Sequence, residues 1–302
     1  MSESENAVLG NPLPAVDDRQ GDRVPERAPF VVDAHVHVFP EGVFSALWKW
    51  FDAHAWPVRY RMPARDLLDF LLDRGVGHVV AMQYAHKPGI ARELNNFMTD
   101  LCSSAGDRVT GLAAVFPGEP GAAEILYRAF DAGLAGVKLH AHVQCFDING
   151  PEIDEIYRVC AEAEKPLVIH AGREPKSPAY ACDPYEICGA EKIRRVLDAH
   201  PGLKLCVPHL GADEFAAYAE MIDTYDNLWL DTAMAVTDYL PMDNPVPLSQ
   251  LRSDRILYGS DFPNIPYAWD RELKELAAAG FPGDRLEKML WKNAREFFDL
   301  QI

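Results

Sequence analysis

Short apolar runs alternate with longer amphipathic stretches from about residue 30 to the C-terminus. The runs 30–38, 78–84, 109–116, 135–140, 167–170, 203–207, 227–231 and 255–259 are brief and often β-branched, the pattern of parallel strands buried on both faces. Between them, 64–74, 90–104, 122–132, 153–163, 191–199 and 214–225 carry apolar residues at helical spacing, and 282–300 supplies a last helix with an aromatic and aliphatic face. Asp73-Arg-Gly75 and Asp131-Ala-Gly133 mark helix ends, because glycine takes the left-handed backbone conformation at little cost. Eight strand–helix alternations predict one α/β domain over 30–302, a (β/α)8 TIM barrel. A doubly wound open sheet is the alternative, but no G-x-G-x-x-G follows the first run, so a dinucleotide site lacks support.

Residues 1–29 stand outside this pattern. They hold several prolines and no apolar periodicity, and are expected to form a flexible tail or an arm lying on the surface. Residues 40–62 are read as a long loop at the mouth of the barrel, where Trp48, Trp50, Phe51, His54 and Trp56 form either an aromatic lid over a flat substrate or a local packing cluster.

Composition narrows the functional classes. The chain of 302 residues carries 29 Lys and Arg against 46 Asp and Glu, a formal charge of −17, which argues against nucleic acid or an anionic membrane surface as partner. No stretch approaches the ~20 apolar residues that span a bilayer. The six cysteines are scattered with no C-x-x-C pair, and no basic-then-apolar leader opens the chain, so reduced thiols and a cytoplasmic location are expected.

The chemistry concentrates at strand ends. The first run contains Asp33-Ala-His35-Val-His37, and the two-residue period of a strand predicts that Asp33, His35 and His37 share a face. Two imidazoles so placed grip one ion. Pro166-Leu-Val-Ile-His170, Leu205-Cys-Val-Pro-His209-Leu-Gly211 and Ile256-Leu-Tyr-Gly-Ser-Asp261 likewise end apolar runs in polar groups. Buried without partners, such groups would each cost ~1–3 kcal/mol, and more for a charge. Gathered at one mouth, they find that partner in a divalent cation. The fourth run, Gly136-Val-Lys138-Leu-His140, puts Lys138 and His140 on one face.

These motifs make the chain resemble the amidohydrolase superfamily, and specifically the branch that includes aminocarboxymuconate-semialdehyde decarboxylase and a pyrone-dicarboxylate lactonase. The resemblance rests on Asp33-Ala-His35-Val-His37, Leu167-Val-Ile-His170-Ala-Gly172, Val207-Pro-His209-Leu-Gly211 and Tyr258-Gly-Ser-Asp261-Phe-Pro263, in the family's order. It implies that His35, His37, His170 and Asp261 hold the metal, expected as one Zn2+ per chain, with His209 acting on the substrate. Some members of the superfamily bridge two metals with a carboxylated lysine after the fourth strand. Lys138 is instead assigned to substrate contact, together with His140.

Zinc lowers the pKa of a bound water from 15.7 to about 7. Asp261 is then expected to take and return that water's proton, while protonated His209 stabilises an oxyanion. Arg173 is either a partner for a substrate carboxylate or one half of a surface ion pair, and Trp48 is a candidate aromatic contact, with Gln83, Tyr84, Gln144 and Tyr180 as weaker candidates for substrate contact. Asp213 is expected to cap the helix that follows His209. The first reading is a metal-dependent hydrolase attacking an ester, lactone or amide carbonyl of a small substrate. The alternative is non-oxidative decarboxylation of an unsaturated or aromatic carboxylate. An inactive metal-binding scaffold is disfavoured because no ligand or acid/base residue is missing. A homo-oligomer is compatible with the tail and lid, and nothing in the sequence sets a subunit number.

Overall fold

The computed structural model describes residues 15–174, 179–239 and 247–302. Among these residues nine short strands fill eight parallel positions: β1 (Val32–His37), β2 (His78–Met82), β3 (Val109–Gly111), β4 (Ala113–Ala114), β5 (Val137–His140), β6 (Leu167–His170), β7 (Leu205–Val207), β8 (Leu228–Asp231) and β9 (Ile256–Leu257). β3 and β4 share one position. The chain changes partner at Leu112, whose N–H donates to Ala81 O at 2.9 Å, while the Ala113 N–H donates to Gly136 O at 2.8 Å. One side of this position therefore pairs with β2 and the other with β5. The circle closes between first and last strands: Ala34 N–H donates to Tyr258 O, Asp261 N–H to His35 O and His37 N–H to Phe262 O, at 3.0, 3.0 and 2.7 Å. The result is the expected (β/α)8 barrel.

Alternation along each strand sorts the residues between two cores. Val79, Val137, Leu139, Leu167, Ile169, Leu205, Leu228 and Leu230 belong to the large cluster shared with the helices. Val80, Met82, Leu112, Val168, Cys206, Trp229 and Leu257 belong to a second cluster, together with Phe297, Phe298 and Leu300 of the C-terminal segment. Two residues beyond Val168 and Trp229, the same faces present His170 and Asp231. The inner side of the barrel is thus apolar below and polar at the mouth.

The strand period breaks once, and at the site. Pairing of β1 with β2 slips between Asp33 and Val36, so that Asp33 aligns with Val79 and His37 with Met82. Asp33 is therefore parted from His35 and His37, contrary to the shared face expected from simple alternation. A bulge inserts one extra residue and reverses the side on which later side chains emerge.

Two further expectations change. The 40–62 segment is not a loop throughout, because Glu41–His54 is helical, with Phe44 buried and Leu47 and Trp48 packed against the core. Helix Phe215–Thr224 has Glu214 at its N-cap without a side-chain cap, whereas Asp213 accepts a hydrogen bond from Tyr185 Oη at 2.8 Å. The glycine stops are as expected, with φ of 94° at Gly75 and 96° at Gly133. Residues 15–29 lie against the barrel: Val24 N–H donates to Arg74 O, Trp269 Nε1–H to Gly21 O and Tyr60 Oη–H to Gln20 Oε1. Residues 1–14 of the N-terminal segment lie outside the described residues. No helix is long and apolar enough to cross a membrane among the described residues.

One buried carboxyl outside the site gives the fold a pH dependence. Glu272, on the helix Arg271–Ala278, is fully buried and accepts hydrogen bonds from Tyr267 Oη at 2.7 Å and Met234 N at 3.1 Å. Burial raises its pKa from 4.5 to about 8, against the opposing pull of those donors. Between these values the folded chain keeps a proton that the unfolded chain releases, so stability falls as pH rises. The melting temperature is expected to drop by several degrees between pH 5 and pH 8.5, and Glu272→Gln to flatten that slope. A slope unchanged in the variant would assign the effect to other groups.

Candidate metal centre

Beyond its bulge, β1 delivers His35 and His37 to the barrel mouth, and both are buried. The backbone is shaped to let other groups approach them. At Gly259 an added Cβ would lie 2.7 Å from the Cβ of His35. Past β7 the chain turns sharply, with positive φ at His209 and Leu210, and then at Gly211. There a Cβ would fall 2.0 Å from the Tyr218 ring, which accounts for the glycine of His209-Leu-Gly211. Asp261 also sits in the left-handed region, at φ 61°, and its own N–H makes one of the backbone contacts that close the barrel.

Three ligand atoms converge. His37 Nε2 lies 3.0 Å and His35 Nε2 3.3 Å from Asp261 Oδ1, and the two Nε2 atoms are 3.1 Å apart. His35 Nδ1 is 2.7 Å from Asp231 Oδ2. The acidic partner fixes the ring proton on Nδ1 and leaves the Nε2 lone pair facing the other donors. Burial lowers the His35 pKa to about 4, with Lys138 adding to the shift and Asp231 opposing it. Burial lowers His37 likewise. Burial pushes the Asp261 carboxyl up, but the His37 hydrogen bond and nearby His35 and His209 hold it well below the usual carboxylate range. Neutral imidazoles and an ionised carboxylate, with lone pairs directed at one another, are a donor set that fits a divalent cation.

Asp231 ends the run 227–231, yet the sequence motifs do not single it out. It is buried, and its Oδ1 accepts from His209 N–H at 2.9 Å and Ala233 N–H at 3.1 Å. Burial raises its pKa, yet His35 and these donors bring it down to about 2. Asp231 thereby orients His35 and fixes the turn that carries His209. His209 Nδ1 is 2.7 Å from Ala233 O, so it donates there and turns Nε2 towards His170 Nδ1, 3.2 Å away. Asp33, with its neighbours Ser260 and His35, closes the strand seam from the other side: it accepts from Ser260 N–H at 3.1 Å and His35 N–H at 3.2 Å. Burial raises its carboxyl to about 7.

His170, expected as the fourth metal ligand, groups in this structure with His140 and His142. β5 and β6 pair His140 directly with His170, and their rings stack with centroids 4.1 Å apart. His142 and Glu174, which no sequence motif marks, complete this side of the mouth, with His142 Nδ1 2.7 Å from Glu174 Oε1.

The two clusters open on one cavity of about 280 Å3, lined by His37, His140, His170, His209 and Asp261 together with Trp50, Phe51, Trp56, Tyr84 and Tyr180. Five expected substrate contacts are not in it. Trp48 stacks on Phe44 at 5.2 Å, because residues four apart lie on one helix face, and that face is turned to the core. Trp50 takes its place in the pocket and stacks with Tyr180 at 5.8 Å. Arg173 turns to Glu214, 3.7 Å away, and to the Tyr185 ring. Lys138 is fully buried, with Nζ 3.2 Å from His35 Nε2; burial lowers its pKa to about 8, only partly offset by Asp231 and Asp261. Gln83 and Gln144 bond to backbone carbonyls of Leu94, Ala85 and Val115. Trp50→Ala is expected to raise KM by about five- to tenfold for an aromatic substrate with little change in kcat. Trp48→Ala should lower the melting temperature instead, and equal KM effects in the two variants would overturn the assignment.

The sequence profile of a family described as amidohydrolase matches residues 32–300. The chain belongs to the amidohydrolase family. No curated protein matches it in a sequence search. Its fold is similar to that of several solved structures. A 5-carboxyvanillate decarboxylase from Novosphingobium aromaticivorans, solved with manganese and 4-hydroxy-3-methoxy-5-nitrobenzoic acid, shares 17% identity at a TM-score of 0.64, over 94% of this chain and 99% of that one. The 5-carboxyvanillate decarboxylase from Sphingomonas paucimobilis shares 17% at 0.65, over 90% and 99%. A 2,6-dihydroxybenzoate decarboxylase from Rhizobium shares 17% at 0.63, over 90% and 99%. At this identity the likeness establishes the barrel. Family membership establishes a metal-dependent enzyme of this superfamily.

Proposed function

We propose that the chain is a metal-dependent, non-oxidative decarboxylase of a small aromatic or unsaturated carboxylate. The observation that carries this reading is the pocket itself: aromatic rings of Trp50, Phe51, Trp56, Tyr84 and Tyr180 frame a cavity of about 280 Å3 with His37 and Asp261 at its polar side. Such a cavity suits one flat ring with short polar substituents. The activities of the three structural relatives point the same way and shift the balance from hydrolysis, the first reading of the sequence, to its alternative.

In this proposal His35, His37 and Asp261 hold the ion, with His170 as the fourth ligand. A divalent cation there would supply positive charge to the substrate's oxygens. Two imidazoles and one carboxylate serve manganese as well as zinc, and manganese was present in one of the relatives. Since Lys138 and Arg173 do not line the cavity, the substrate carboxylate is left to the ion and to the imidazoles. The aromatic walls hold the ring and exclude water.

Decarboxylation breaks the bond between the ring carbon and the carboxylate carbon, releases CO2, and leaves the electron pair on the ring carbon, which then takes a proton. We assign that transfer to His209. Its Nδ1 proton is engaged by Ala233 O, so the proton given to the ring carbon is carried at Nε2 and is replaced from solvent after each turnover. Asp261, ionised, stabilises the protonated imidazole.

The test is to incubate metal-loaded protein with a panel of hydroxylated benzoates and unsaturated dicarboxylates, and with matched esters and lactones. Release of CO2 in step with loss of the acid, abolished by chelator and restored by added manganese or zinc, is the expected result. Ester or lactone opening without CO2 would return the assignment to hydrolysis.

A further inference from the structure

We propose that the substrate carries an apolar alkyl or aryl substituent, and that this group lodges in a second chamber of about 670 Å3 beside the metal-centre cavity. The two chambers share walls, since Trp50, Phe51, Tyr84, His140 and Tyr180 line both. Resting on the reading of the site given above, the carboxylate head lies at the ion and its ring in the smaller cavity. The substituent then extends from the ring edge remote from the carboxylate, past the shared rings.

The two chambers differ in chemistry. His37, His209 and Asp261 line the metal-centre cavity, and none of them lines the larger one. Its wall is built instead from Val43, Ala46 and Leu47 of the helix Glu41–His54, from Ile90 and Leu94 at the start of the helix Ala91–Ala105, and from Val143. Val43, Leu47, Ile90 and Val143 are half-buried, so their aliphatic surface faces open space on the chamber side. The charged residues of the same chamber, Lys87 and Glu93, are exposed, so water solvates them and the wall stays apolar. Aliphatic surface left against water is the surface that an apolar group gains most by covering.

Paired rings divide the chambers. Trp50 stacks with Tyr180, with centroids 5.8 Å and planes 26° apart, and Tyr84 meets His140 edge-on at 5.1 Å. Tyr180 Oη–H donates to Glu174 Oε1 at 3.0 Å, which anchors that ring from behind. Val43, Ala46, Leu47 and Trp50 recur at helical spacing, so one face of one helix supplies both the ring beside the aromatic head and the aliphatic side chains that receive its tail. A flat ring with short substituents fills the smaller cavity alone. Selection among such rings therefore falls to the larger chamber, where a charged tail would lose its hydration and gain no partner from the aliphatic wall.

The experiment titrates the metal-loaded full chain with hydroxybenzoates bearing alkyl chains from methyl to hexyl, meta or para to the carboxylate, and reads dissociation constants by calorimetry. Release of CO2 is followed separately. Each added methylene is expected to tighten binding by about three- to fourfold until the chain outgrows the chamber. Ala46→Trp and Ile90→Trp, which fill the chamber from two different helices, should weaken the hexyl compound by about tenfold or more and leave the unsubstituted hydroxybenzoate within about twofold of wild type. Affinity that does not rise with chain length, or no binding at any length, would overturn the proposal, and so would a gain retained in full by both variants. A wild-type oligomer that dissociates in either variant would make this face a contact between copies of the chain and overturn it as well. A chain-length gain lost in the variants, but with no CO2 released, supports the chamber and rejects the decarboxylase reading alone, because binding is measured apart from turnover.

Discussion

Replacing Asp261 by asparagine is expected to lower turnover by about 10²–10⁴-fold while leaving the barrel folded. The chemical case lies in its Oδ1, placed 3.0 Å from His37 and 3.3 Å from His35, and in a carboxyl held ionised by those rings. In the proposed reading, asparagine removes the charge that holds the ion and steadies the protonated His209. The structural case for an intact fold lies in the backbone. At φ 61° few residue types are comfortable, and asparagine is one of them, so the closing bond from the Asp261 N–H to His35 O is retained. Circular dichroism should match wild type, and the melting temperature should match that of the metal-stripped wild-type chain, while metal content and turnover fall together. Turnover within about tenfold of wild type would remove Asp261 from the chemistry.

The second large effect is expected at a residue that does not touch the cavity. Asp231→Asn should weaken metal binding by about 10–100-fold. Its Oδ1 can still accept from His209 N–H and Ala233 N–H, so the turn after β7 survives. The atom in place of Oδ2 becomes an N–H donor facing His35 Nδ1, where the native carboxylate accepts at 2.7 Å. His35 must then move its proton to Nε2, the atom that meets the ion, or turn its ring. Competition with a coloured chelator measures the loss directly. An unchanged dissociation constant would show that the His35 tautomer is set elsewhere.

The parts of this molecule that follow from local pattern are legible in sequence. Buried runs ending in His170, His209 and Asp261 mark both the strands and the side of the barrel that carries chemistry. Asp231 is visible by the same rule, since it ends the run 227–231, but no neighbouring motif draws attention to it. Other features depend on phase or on distant partners. The spacing Phe44, Leu47, Trp48, Phe51 is helical, and following it assigns Trp48 to the core and leaves Trp50 for the pocket. The bulge in β1 is invisible to a two-residue period, which therefore groups Asp33 with the wrong face. Arg173 and Lys138 look alike as cations, but only tertiary packing reveals that one faces Glu214 and the other His35. Glu174 and His142 gain meaning only once two loops meet.

The joint between β1 and the segment after β9 has a consequence for assembly of the chain. Asp33 and Ser260, which bond across it, are 227 positions apart. Such a contact closes a loop of nearly the whole domain and carries the entropy penalty of a very non-local pairing. His35, His37 and Asp261 straddle that joint, so their convergence is completed only when the two ends of the barrel meet. An ion bound by these three residues would tie the two ends of the chain together, so it is expected to stabilise the joint more than any other part of the barrel.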